Sequence, residues 1–131
     1  MNLLLDTQAL LWWRDGNRRL GRRARQAIEA EAGTVAVSAA SIWEIAVKSG
    51  VGRLTLKDPL ETWVPDRLEQ HGFVMLNVTA AHAVAVAALP HHHADPFDRL
   101  LIAQARLEHL TVVTSDAAFD DYDVRLLDAR A

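Results

Sequence analysis

The chain has 131 residues, 50% hydrophobic and 24% charged, with a formal net charge of −3; this is ordinary composition for a single domain over 1–131 that buries roughly two-thirds of its unfolded surface. With no cysteine, disulfides, thiolate nucleophiles and cysteine-ligated zinc are excluded. Without an apolar run of the roughly 20 residues a membrane span needs, and without a secretory leader pattern at the start, a cytoplasmic protein with no membrane partner is expected.

In chain order, the apolar run ending at Asp6 predicts a buried strand over 2–6. Leu10, Leu11, Trp12 and Trp13 follow, four successive bulky residues that one helical face cannot bury, so a contact with another protein is expected to cover the excess. Between 14 and 25, six arginines stand against Asp15 alone, a local charge of +5 that leaves −8 for the rest of the chain. Arg18, Arg19, Arg22, Arg23 and Arg25 are therefore candidates for meeting nucleic-acid phosphates, although a solvated helix face accounts for them equally well. A helix is expected over 21–32 and a strand over 34–37. Ser38 then caps a helix that runs to Gly50, with Ile42, Ile45, Ala46 and Ser49 as its packing face. Helical pattern resumes over 58–71 with a break at Pro65, followed by a strand at 73–76 and helices at 80–88 and 96–109. Strands at 111–114 and 124–127 complete the set. Strands separated by helices imply βαβ units, hence an α/β fold: a three-layer α/β/α sandwich around a mainly parallel sheet of four or five strands.

Four acids stand out against this framework. Asp6 and Asp116 follow apolar runs, at the carboxyl ends of strands where open α/β sheets build their sites. Glu44 lies on the helix after the second strand, beside the packing face, with Ser41 and Lys48; the bland alternative is an exposed Glu44–Lys48 pair. Asp95-Pro96-Phe97-Asp98 reads as a cap, a proline in the first helical position and an acid in the first turn. Asp95 is assigned to the cap, and Asp98 to an ion beyond it. Two carboxylates about 4 Å apart repel by roughly 4 kcal/mol at an effective dielectric of 20, a large share of the roughly 5–15 kcal/mol that folding yields. Four converging acids therefore demand cations, and oxygen ligands suit Mg²⁺ or Mn²⁺ and phosphodiester hydrolysis. His91, His92 and His93 cannot all face one ion, so no zinc site is expected there. Trp12, Trp13, Trp43 and Trp63 are expected to pack in the core or against a partner rather than on bases. Asp120, Asp121 and Asp123 read as a solvated turn.

Leu5-Asp6-Thr7, the segment Ser41 to Lys48 with Gly52-Arg53-Leu54, the run His92 to Ala105 and the segment Val113 to Phe119 together resemble the PIN-domain family, in its VapC-type toxin branch, over about residues 1–127. The resemblance implies a Mg²⁺- or Mn²⁺-dependent endoribonuclease that leaves 5′-phosphate and 3′-hydroxyl ends. It also implies a homodimer and a cognate antitoxin that blocks the site. Carried over by position, Asp6, Glu44, Asp98 and Asp116 are the acidic quartet that serves as metal ligands and catalytic residues, and Thr7, Thr114 and Lys48 are candidates for supporting it. Gln8 departs from the smaller polar residue of many relatives. It also argues against an aspartyl-phosphate enzyme, which needs a second Asp at that position. A binding module without chemistry is the remaining alternative.

Overall fold

The structure is a computed structural model that describes residues 2–30 and 33–131. Five strands, β1 (Leu3–Leu5), β2 (Val35–Ser38), β3 (Phe73–Leu76), β4 (Thr111–Thr114) and β5 (Leu126–Asp128), form one sheet in the order β3-β2-β1-β4-β5. Every pairing is parallel, with Leu3 opposite Val35 on one side and Thr111 on the other. Among the described residues six helices connect the strands: α1 (Thr7–Asp15), α2 (Arg22–Glu29), α3 (Ala39–Gly50), α4 (Asp66–Gln70), α5 (Ala80–Val86) and α6 (Pro96–Glu108). The expected α/β sandwich is the observed one.

Period-two alternation divides the interior. Leu3, Leu5, Val35 and Val37 pack with Leu10, Trp12, Ile28 and Ile45 on one face, while Leu4, Ala36 and Val112 pack with Leu101, Ile102 and Phe119 on the other. Because both faces are covered, β1, β2 and β4 are buried at every residue, which is why they read as continuous apolar runs.

Several expectations are corrected. The excess apolar surface of Leu10 to Trp13 is expected to need another protein; in α1, however, Leu10, Leu11 and Trp12 are all buried. Their cover comes from the chain itself. Leu20, Ala24 and Ile28 of the α2 region, Trp63, Leu68 and Ala129 share one core with them, and Trp13 leans on Phe73 with ring centroids 4.6 Å apart. A helix enclosed on several sides needs no polar stripe, so no external partner is required at this place. The C-terminal segment closes that wall: Ala129 and Ala131 carbonyls accept from the amides of Gly21, Arg23 and Ala24. A Cβ at Gly21 would overlap the Ala131 carbonyl, so this approach requires glycine. The helix expected over 21–32 ends at Glu29, and 31–32 lie outside the described residues. The 58–71 helix is split around Pro65 into a 3-10 turn, Leu60–Thr62, and α4, because proline removes a backbone donor and crowds the preceding residue. The last strand sits at Leu126–Asp128 rather than 124–127. No helix among the described residues is long and apolar enough to cross a membrane.

Candidate active site and metal centre

Strand order reverses between β1 and β4, and the crevice outside the carboxyl ends of these two strands is where a doubly wound sheet accommodates a ligand. A cleft of roughly 430 Å³ opens there, lined by Asp6, Glu44, Asp98 and Asp116. The topology explains each address. Asp6 ends β1 and Asp116 follows β4; α3 leaves the same sheet edge after β2, and α6, which leads back into β4, begins at it.

Helix capping and clustering are not rival explanations here, because a carboxylate has two oxygens. Asp6 caps α1, accepting from the Ala9 amide at 2.7 Å. Asp116 caps the 3-10 turn Ala117–Asp121, accepting from the Ala118 amide at 2.9 Å, while its own amide donates to Thr114 Oγ1 at 3.1 Å. Asp95 caps α6 by accepting from the amides of Phe97 and Asp98, as expected, with Pro96 in the first position. That leaves the Asp98 carboxylate free of capping, and it meets His93 Nε2 at 2.8 Å.

Glu44 is buried, not exposed. The packing face of α3 runs through Ala40, Ser41, Glu44 and Ile45, whereas Ala46 is exposed; the helix lies against α6 and α1 as well as the sheet, which rotates its interior side relative to the expected one. Both Glu44 oxygens are engaged: Oε1 accepts from Thr7 Oγ1 at 2.5 Å and Oε2 from Lys48 Nζ at 2.5 Å. The Glu44–Lys48 pair therefore exists, but with the acid 4% exposed and the lysine forming its solvent-side lid.

The electrostatic consequence appears in the ionisation of the acids. Burial pushes the Asp6 carboxyl up to about 6, with the negative charges of Asp98 and Asp116 adding to the effect and hydrogen bonds from Thr114 and the Ala9 amide opposing it. Asp98 is likewise raised to about 6 by burial and by the charges of Asp95 and Glu44, against a hydrogen bond from His93. Lys48 is raised chiefly by its hydrogen bond to Glu44. A cation among these acids would reverse the penalty on the ionised forms.

His93 is the residue that sequence reasoning misses. Its ring nitrogen and one oxygen each from Asp98 and Asp116 all lie within 4.8 Å of one another. The rule that consecutive histidines cannot share an ion is sound, but it does not stop one of the three from reaching the site. Arg53 also lines the cleft, and its signal is the Gly52-Arg53-Leu54 segment, which ends α3 through the Arg53 amide bonded to the Lys48 carbonyl. Trp43 lies outside the core, 62% exposed with its ring 5.0 Å from that of Phe97, which leaves a partner surface as the other expected setting. Trp12 and Trp63 are core residues as expected. Arg18, Arg19, Arg22 and Arg23 are exposed, and neither they nor Arg25 line the acidic cleft. Arg25 pairs with Glu29 at 3.8 Å and borders a different cleft with Trp13, Arg14 and Trp63. Asp120, Asp121 and Asp123 are exposed, as a solvated turn requires.

The family model of the PIN domain matches residues 3–125. Ribonuclease VapC22 of Mycobacterium tuberculosis is 35% identical over 115 residues, covering 87% of this chain and 86% of that protein. Among solved structures, VapBC2 of Rickettsia felis bound to a DNA fragment from its promoter superposes with a TM-score of 0.73 at 18% identity, over 97% of this chain and 98% of that one. FitAcB of Neisseria gonorrhoeae gives 0.64 at 23% identity, over 97% of each chain. These structural likenesses speak for the fold.

Proposed function

The chain belongs to the PIN-domain family, and from that premise we propose that it is a metal-dependent endoribonuclease, the toxin of a type II toxin–antitoxin pair, acting on RNA in the cytoplasm. One observation carries the reading: four acids delivered by β1, α3, α6 and the turn after β4 line one cleft at the strand-order reversal. Sequence identity to a named ribonuclease across most of both chains supports the reaction class. Neighbours named as VapBC and as a toxin–antitoxin complex support a cognate antitoxin as partner; the homodimer follows from the family resemblance alone.

The donor set fits a divalent ion, since Asp6 and Asp98, withdrawn from water with pKa values raised to about 6, share the cleft with Glu44 and the exposed Asp116, oxygen donors suited to hard Mg²⁺ or Mn²⁺. Asp6 and Asp98 would hold the main ion, with Asp116 and Glu44 completing its surroundings. When bound, such an ion supplies Lewis acidity toward a phosphate and lowers the pKa of water. Glu44, fixed by Thr7 and Lys48, orients the attacking water for in-line displacement at phosphorus. Thr114, whose hydroxyl accepts from the Asp116 amide at 3.1 Å, braces the turn that carries Asp116. Lys48 and Arg53, the basic residues lining the cleft, meet the negative phosphodiester. The exposed Arg18, Arg19, Arg22 and Arg23 guide the strand from outside the cleft.

The test is cleavage of defined RNAs with Mn²⁺ by protein freed of antitoxin, compared with Asp6→Asn and Asp98→Asn. Loss of cleavage in both, with circular dichroism unchanged, is expected. Full activity in either variant refutes its assignment.

A further inference from the structure

We infer that His93 is a nitrogen ligand of the metal centre, beside Asp98 and Asp116, making it a mixed nitrogen and oxygen site that selects Mn²⁺ over Mg²⁺. The inference rests on the reading of the cleft as a divalent metal site. His93 Nε2 and Asp98 Oδ2 are 2.8 Å apart, and one ligand atom each of His93, Asp98 and Asp116 lie within 4.8 Å of one another. Adjacent ligands of an octahedral ion with bonds of about 2.1 Å stand about 3 Å apart. Three donor atoms gathered within 4.8 Å, two of them already 2.8 Å apart, are close enough for one ion to draw together by side-chain rotation. Nitrogen donation matters chemically: imidazole favours transition metals over Mg²⁺, and the Irving–Williams series places Mn²⁺ lowest among the former, so the gain over Mg²⁺ is finite.

The position of His93 is built, not incidental. Its amide and that of His92 both donate to the Tyr122 hydroxyl, at 3.0 and 3.2 Å, and that hydroxyl donates to the Pro90 carbonyl at 2.9 Å. Arg99, one residue beyond Asp98, is buried and donates to the same Pro90 carbonyl, to the Tyr122 hydroxyl and to the carbonyls of Val86 and Leu89. One buried node thus fixes both the helix that carries Asp98 and the loop that carries His93. Coordination through Nε2 requires the neutral ring with its proton on Nδ1, so the hydrogen bond to Asp98 gives way to shared ligation.

The test compares metal-free wild type with His93→Ala and His93→Gln, titrating Mn²⁺ and Mg²⁺ calorimetrically and recording pulsed electron paramagnetic resonance of the Mn²⁺-loaded proteins. Wild type is expected to show nitrogen coupling from a directly bound imidazole, absent in both variants. Mn²⁺ affinity should fall roughly 10–100-fold in both, with a much smaller change for Mg²⁺. The glutamine variant is decisive, because its amide keeps a hydrogen-bond donor for Asp98 but is a poor partner for the ion. Retained Mn²⁺ affinity in His93→Gln, equal losses for the two ions, or Mn²⁺ bound without nitrogen coupling would overturn the inference while leaving the metal site standing. Wild type that binds neither ion overturns both the inference and the metal reading beneath it.

Discussion

Replacing Asp6 with asparagine should stabilise the metal-free protein, an unusual expectation for a buried residue. The amide keeps an oxygen for the Ala9 amide and nearly the same volume, but removes a charge that burial and the carboxylates of Asp98 and Asp116 disfavour. With a carboxyl raised from 3.8 to about 6, the folded state binds more protons than the unfolded one between these values, so stability falls as pH rises through the window and the penalty is complete above it. Linkage gives about 3 kcal/mol at pH 7.5 and about 1 kcal/mol at pH 4.5. Urea unfolding in the presence of a chelator, followed by the fluorescence of the four tryptophans, measures this directly. Asp6→Asn should gain about 3 kcal/mol at pH 7.5, roughly 10 °C in melting temperature, and much less at pH 4.5. Saturating Mn²⁺ should then narrow or reverse the ranking, because a ligand at 100 times its Kd adds about 2.7 kcal/mol only to the protein that binds it. A variant equally or less stable at pH 7.5, or a gain independent of pH, refutes the claim that this carboxylate is held ionised at a cost.

Other perturbations probe the supports of the site. Thr7→Val removes the donor to Glu44 Oε1 and should cost about 1–3 kcal/mol in denaturant unfolding, with a fall in kcat larger than any change in KM. Ser38→Ala deletes both the cap of α3 and a 2.6 Å hydrogen bond to buried Gln104, so a loss of about 1–3 kcal/mol is expected by the same assay. Arg99→Lys cannot reproduce a fork that reaches three carbonyls and the Tyr122 hydroxyl, and should destabilise by about 3 kcal/mol although the charge is unchanged. Neutralising Arg18, Arg19, Arg22 and Arg23 should flatten the slope of log RNA affinity against log salt by roughly 0.7 for each phosphate these side chains pair with, without touching Mn²⁺ affinity.

Local chemistry is enough to read much of this protein from its sequence. Asp95 followed by Pro96 announces the start of α6, apolar runs announce β1, β2 and β4, and Asp6 and Asp116 mark strand ends, because caps, proline and continuous burial leave signatures within a few residues. Resemblance supplies the quartet as a set. What the tertiary structure decided was orientation and enclosure. Whether Glu44 faces solvent or the cleft depends on α3 meeting α6 and α1 as well as the sheet, and Leu10 to Trp13 found cover in α2 and the C-terminal segment rather than in a partner. His93 reached the acids through a loop tied to Tyr122, a residue 29 positions away. Such facts are sums over distant contacts, and helical or strand periodicity, which repeats within a few residues, carries no trace of them.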